Sequence, residues 1–301
     1  MKLGLKRCLR LGLLAWMAGS WKPAQAQVGL HRVSGVQYRM EGDASPERII
    51  TRVRRHILGA KNEQAELVVF PELFVLDAWP TRSSKSEAEI TRSIAGRVTP
   101  TVWAAIQTFA KAFGISVLAG SAPELRDGRL YNTARLFFSD GRVEVQDKLK
   151  PTAWGRGVGV TPGKSLNVFE APWGRSVVLI CYDVEFPDLS AALARRRPEV
   201  ILVPSMTESE AGRDRVRWTA QARAVEHHAY VVVVPTTGQP TPSWQHFGRV
   251  IFLGPQDGGQ ASLLYTAPFG RDDVFTVTLD LAALRQSRET TKFYPARDMY
   301  R

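Results

Sequence analysis

Short runs of consecutive apolar residues alternate along this chain with stretches whose apolar positions recur every three to four residues. The first pattern reads as buried strand, the second as a helix packed on one face. Strands are expected over residues 31–38, 67–70, 115–119, 134–138, 143–146, 177–180, 200–203, 230–234, 250–253, 262–265 and 274–279. Ser45-Pro46-Glu47 places a capping serine before a first-turn proline, and Ile49, Ile50, Val53 and Ile57 then share one side of a helix. Thr99-Pro100 has the same form and predicts the start of a second helix that runs to Phe113 and stops at Gly114. Further helices are expected from about Asp188 and around residues 213–228, with a short polar tail after the last strand. Ser139-Asp140-Gly141 and Gly254-Pro255-Gln256-Asp257-Gly258 are turn signals between paired strands. Near-continuous apolar strands mixed with helices predict an α/β fold in which helices cover sheets. Periodicity leaves one sheet or two equally open. No linker, repeat or low-complexity tract interrupts the pattern, so residues 27–301 are expected to form a single domain.

Composition changes this picture only at the N-terminus. With 44% hydrophobic and 23% charged residues over 301 positions, the chain is ordinary globular protein. The formal net charge is +11, of which Lys2, Lys6, Arg7, Arg10 and Lys22 supply five in the first 26 residues, where no acidic residue stands. That basic start, the apolar run from Leu11 to Ala18 and the small-residue site Ala24-Gln25-Ala26 predict a secretory signal peptide over residues 1–26, with the mature chain beginning at Gln27. The run is about 11 residues, too short to span a bilayer, which needs about 20. A periplasmic or secreted location follows; the alternative is an uncleaved extension of a cytoplasmic protein. The remaining basic clusters, Arg52-Val53-Arg54-Arg55 and Arg195-Arg196-Arg197, lie on or at the ends of helices and read as solvated faces. No aromatic residues interleave with them, and no nucleic-acid partner is expected.

Of the two cysteines, Cys8 falls in the segment expected to be removed. Cys181 closes the apolar strand Val177-Val178-Leu179-Ile180 and precedes Tyr182-Asp183-Val184-Glu185-Phe186-Pro187-Asp188 and a helix. A thiol at such a junction is placed where backbone N–H groups and the helix dipole favour thiolate. A lone cysteine there reads as a nucleophile if a base and a positive partner exist. Glu72, at the end of Leu67-Val68-Val69-Phe70, is the candidate base, since a buried carboxylate can be tuned toward neutral pKa. Lys148, in Gln-Asp-Lys-Leu-Lys-Pro-Thr, is the candidate cation. Metal chemistry is not expected. His227 and His228 are adjacent, so a helix turns them about 100° apart, and His31, His56 and His246 show no ligand spacing. No phosphate-binding glycine loop or Gly-x-Ser-x-Gly elbow appears, so no cofactor is expected.

Glu72, Lys148 and Cys181, in that order and in these local contexts, resemble the carbon–nitrogen hydrolase (nitrilase) superfamily from about residue 30 to 280. The resemblance implies a four-layer α-β-β-α sandwich, commonly packed into dimers through outer helices, and hence a homo-oligomer. It implies hydrolysis of a small amide or nitrile by thioester chemistry, with Cys181 as nucleophile, Glu72 as base, and Lys148 with the Tyr182 backbone N–H on the oxyanion. A nitrile is the less expected substrate, because Tyr182-Asp183 stands where nitrilases carry Trp-Glu. Acyl transfer to an amine through the same thioester, or a binding protein with a decayed site, are the alternatives. The family usually has a second glutamate in a Glu-Arg pair soon after the lysine; here Gly155 precedes Arg156, with Glu185 or a water as a substitute. Gly248-Arg249 carries arginine where a small hydroxyl residue is more usual. Arg223 and Glu226, in Ala-Arg-Ala-Val-Glu, read as an internal ion pair rather than a substrate contact. Most of the eight tryptophans are expected in the core or at interfaces.

Overall fold

A computed structural model describes residues 29–300. The expected signal peptide, its cleavage point and Cys8 lie outside the described residues. Two six-stranded sheets form the centre. The first runs edge to edge as Asp273–Asp280, Leu30–Gln37, Leu67–Val69, Ser116–Arg126, Arg129–Phe137 and Val143–Asp147. The second runs as Leu263–Thr266, Ile251–Leu253, Tyr230–Pro235, Val200–Ser205, Ser176–Val178 and Val168–Phe169. In both sheets the three central strands are parallel and the outer ones antiparallel. The helices are α1 (Pro46–Asn62), α2 (Glu87–Phe113), α3 (Ala153–Gly157), α4 (Pro187–Ala194), α5 (Glu210–His227), α6 (Leu281–Thr290) and the short α7 (Pro295–Asp298).

Alternation along the strands sets the layers. Leu67 and Val69 point into a core shared with the second sheet, whereas Val68 and Phe70 point the other way, onto α1 and α2. Val216, Ala220 and Ala224 of α5 and Leu193 of α4 close the far side of the second sheet. The order is helices, sheet, sheet, helices: the four-layer α/β sandwich expected from the family resemblance. The hairpin signal at Ser139-Asp140-Gly141 joins two strands paired from Thr133↔Asp147 to Phe137↔Val143, which delivers the chain to Lys148.

Two expectations are corrected. The second helix does not begin at Thr99-Pro100. It begins twelve residues earlier at Glu87, where Ser86 and Glu89 form a reciprocal capping box, and Pro100 lies inside it. Ile90, Ile94, Val98, Val102 and Ile106 form an unbroken buried stripe at spacing four, and the burial of that stripe outweighs the one backbone bond a proline removes. Nor is the C-terminus a polar tail. Asp280 caps α6 by accepting the Ala283 N–H at 2.8 Å, and Leu281 and Leu284 are buried. Among the described residues no helix is long and apolar enough to cross a membrane.

Candidate active site

The carboxyl ends of the parallel strands from both sheets open onto one cavity of about 280 Å³, small for a ligand pocket. Glu72, Lys148 and Cys181 all line it. Each arrives by a different local device. Glu72 follows Leu67–Val69 through Phe70-Pro71 and is held by a bridge to Ser121. That approach needs Gly120, whose φ is +54° and where a Cβ would stand 1.8 Å from the Pro71 carbonyl oxygen. Lys148 leaves the edge strand Val143–Asp147, its N–H bonded to the Asn132 carbonyl at 2.8 Å. Cys181 opens a 3₁₀ turn, Cys181–Glu185, with Leu179 and Ile180 between it and the strand Ser176–Val178. Its φ is +49°, a left-handed conformation that costs a side-chain-bearing residue roughly 1–3 kcal/mol.

The three side chains are nearly dry: Glu72 is 3% exposed, Lys148 4% and Cys181 5%. Lys148 Nζ donates to Glu72 Oε1 at 2.6 Å, and Asn132 Nδ2 donates to the same oxygen at 2.8 Å. With both donors on Oε1, the second oxygen, Oε2, keeps its capacity to accept a proton. Cys181 Sγ lies 3.6 Å from the Met206 carbonyl oxygen, which accepts from it. Burial pulls the Lys148 ammonium down, but Glu72, Cys181 and Asp183 outweigh this and hold it charged above the usual lysine range. The thiol is the reverse of the thiolate expected from its strand-to-helix position. Burial first, and then the Glu72 charge, push its pKa up to about 12, and Lys148 and the Met206 hydrogen bond only partly offset them. Desolvation of an anion in a closed cavity exceeds what the first N–H groups of a short turn return. At rest Cys181 is a protonated thiol, and any reaction through it needs a base in place.

Asn132 and Trp154 carry no signal along the chain, and Asp183 enters there only through the Tyr182-Asp183 pair, yet all three belong to this region. Asn132 and Trp154 line the cavity. Trp154 Nε1 donates to Glu87 at 3.0 Å, and its ring packs on Trp244, itself against Trp79, so the wall residue Trp154 is backed by two further tryptophans. Glu185 lines the cavity, but it accepts from Arg215 Nε at 3.3 Å. The second carboxylate acting on Lys148 is therefore Asp183, not Glu185. Gly155 is buried in α3 and also lines the cavity. Arg223 Nη1 bonds Glu226 at 2.8 Å and its Nε reaches the Val184 carbonyl at 3.0 Å, an internal pair outside the cavity.

His227 and His228 diverge because α5 ends at His227 and His228 caps it in a left-handed conformation: one meets Ser190 at 2.8 Å, the other Ser287 at 2.6 Å. Burial pushes His227 down to about 4, so its ring is neutral near pH 7. Among the described residues no group of three His, Cys, Asp or Glu side chains is placed to hold a metal ion.

A family model for carbon–nitrogen hydrolases matches residues 32–289. By sequence the chain is 31% identical over 212 residues to YhcX, a probable hydrolase of Bacillus subtilis; the match covers 69% of this chain and 40% of that protein, so the chain spans less than half of that relative. It is 27% identical over 232 residues to the omega-amidase NIT2 of Danio rerio, covering 71% of this chain and 80% of that one. The fold superposes with a TM-score of 0.73 on the crystal structure of Saccharomyces cerevisiae Nit3, a member of branch 10 of the nitrilase superfamily, at 22% identity and over 88% of this chain and 95% of that one.

Proposed function

The chain belongs to the carbon–nitrogen hydrolase family, whose members cleave carbon–nitrogen bonds other than peptide bonds, and from that premise we propose that it hydrolyses a small linear amide through a thioester on Cys181. The observation that carries this reading is the convergence of Lys148 and Asn132 on one oxygen of Glu72 in the cavity that holds the thiol. Because the thiol is protonated at rest, attack on the amide carbonyl carbon is coupled to transfer of the Sγ proton to Glu72. The carbonyl oxygen becomes an oxyanion beside the Lys148 ammonium and the Tyr182 N–H, at the start of the turn where the first N–H groups have no partner within it. One such donor is worth about 3–4 kcal/mol in the transition state. Collapse breaks the carbon–nitrogen bond, and Glu72 returns its proton to the leaving nitrogen, giving ammonia or an amine and the thioester. Water then attacks the thioester carbonyl while Glu72 takes its proton. The second oxyanion collapses with release of the carboxylic acid, and the sulfur regains the proton from Glu72. The omega-amidase relative supports an amide over a nitrile as substrate, as does Tyr182-Asp183 at the turn.

Intact-protein mass spectrometry during incubation with a panel of short aliphatic and omega-amides, with and without an amine acceptor, tests this. The expected result is a transient acyl adduct on Cys181 and release of free acid. No adduct and no acid from any amide would leave a binding protein of this fold; an acylated amine as the main product would make the protein an acyltransferase.

The glycine at position 155 admits a second test. Its φ is not positive, and a Cβ there would meet Pro151 Cβ at 3.5 Å and Thr152 Oγ1 at 3.6 Å, ordinary contact distances. The backbone thus makes no demand for glycine. Gly155→Ala is expected to fold and to retain activity. Gly155→Glu is expected to fold with turnover unchanged or raised, since another carboxylate facing the cavity holds the lysine more firmly. Steady-state rates and melting curves for both variants check this, and an inactive glutamate variant beside a fully active alanine variant would refute it.

A further inference from the structure

Asp183 is one of the most deeply buried charged residues of the protein, 1% exposed, and it is not part of the cavity wall. Its two oxygens accept three backbone N–H groups and nothing else among the hydrogen bonds of its side chain. Oδ1 accepts from Lys150 at 2.7 Å; Oδ2 accepts from Ile180 at 3.1 Å and from Leu149 at 3.3 Å. Ile180 immediately precedes the nucleophile candidate, and Leu149 and Lys150 immediately follow the lysine candidate. One carboxylate therefore ties the turn that carries Cys181 to the loop that carries Lys148. These two segments come from different sheets and, at this point, from strands that do not pair with each other. We propose that Asp183 is a positioning residue, fixing the Cys181 thiol and the Lys148 ammonium relative to one another without touching substrate.

The energetics favour function over stability as the reason for its presence. Burial raises the Asp183 pKa to about 6, although Lys148 and the three N–H groups pull it down. The folded chain thus holds this proton more tightly than the unfolded chain. The stability contributed through this group falls as pH rises from the ordinary carboxylate range through about 6. A buried carboxylate that costs stability at neutral pH is a poor staple, but its two acceptor oxygens match a three-donor geometry that no neutral side chain reproduces. Asparagine has the same shape yet would turn an NH₂ donor against at least one backbone N–H.

The proposal rests on the catalytic reading above, and its test uses a probe that does not depend on the substrate. Iodoacetamide alkylates the thiol by forming a carbon–sulfur bond as iodide leaves, with the thiol proton passing to Glu72 or solvent. The rate at Cys181 is read by peptide mass mapping, which keeps Cys8 separate. In Asp183→Asn with native circular dichroism, alkylation at pH 7.5 is expected to be at least tenfold slower, since a displacement of about 1 Å can cost 10²-fold in a positioned reaction. Removing a negative charge would by itself ease thiol ionisation and speed the reaction, so electrostatics and positioning have opposite signs. An unchanged or faster rate overturns the proposal. If the asparagine chain does not fold, Asp183→Glu, which keeps both acceptors on an arm one methylene longer, is read the same way. A folded glutamate chain slowed tenfold supports the proposal, and one at the wild-type rate overturns it. Failure of both to fold overturns it too, because Asp183 would then be a requirement of the fold. Failure of the catalytic reading itself shows instead as retained turnover in a chain lacking Cys181.

Discussion

Cys181→Ala is expected to lose at least about 10⁴-fold in amide turnover while folding normally, because removing a covalent nucleophile leaves only binding and oxyanion stabilisation. Among the described residues no second thiol stands beside it, Cys181 being the one free cysteine there. Alanine fits the position, because the methyl group is smaller than the thiol it replaces, and the left-handed φ of +49° is retained by the surrounding turn. Ammonia release from the amide that gives the adduct, measured against wild type with circular dichroism as the fold control, decides the matter. Turnover within tenfold of wild type would sink the nucleophile assignment. The same geometry changes what is expected of the intact thiol. With burial and the Glu72 charge holding its pKa above the ordinary thiol range, Cys181 is expected to react slowly with reagents that cannot use Glu72.

Glu72→Gln is expected to produce two effects of opposite direction. Turnover falls by roughly 10²–10⁴-fold, the range for a positioned general base. The thiol, however, ionises more easily. Glu72 is the largest electrostatic influence raising Cys181, so neutralising it leaves Lys148 and the Met206 hydrogen bond to pull the pKa down from about 12. Thiolate absorbance near 240 nm should therefore appear at lower pH in the glutamine chain than in wild type, even as catalysis disappears. Lys148 loses the carboxylate that most strongly holds it charged, so its own pKa falls. Breaking one side of a buried pair costs about 3–5 kcal/mol, and a lower melting temperature accompanies the change. A thiol titrating at higher pH, or turnover within a few-fold of wild type, would remove Glu72 from the role of base.

Much of this site is legible along the chain because each anchor is local. A polar residue at the end of an apolar strand stays polar at the end of a strand whatever the strand pairs with. Glu72 after Leu67–Val69, Cys181 after Ser176–Val178 and Lys148 after Val143–Asp147 are of this kind. Asn132 is of the other kind. It sits within a strand, and the antiparallel pairing of Arg129–Phe137 with Ser116–Arg126, whose Ser121 is bridged to Glu72, brings its amide to Glu72 from 60 positions away.

By itself the sequence determined the α/β class, the approximate place of eleven strands but not of Arg39–Met40, Val168–Phe169, Thr237–Thr241 or Trp244–Phe247, and three chemically apt residues in order. It misjudged the start of α2, where a proline motif competes with a long buried stripe, and the C-terminal segment, where Leu281 and Leu284 are too few to show a period. The tertiary structure alone decided that there are two facing sheets, that Asp183 rather than Glu185 is the second carboxylate acting on Lys148, and that the thiol is protonated at rest. The physical reason is the same in each case. Periodicity and capping depend on neighbours in the chain, whereas desolvation and Coulomb interactions depend on what folding brings within a few ångströms, and burial can reverse the sign that local position suggests.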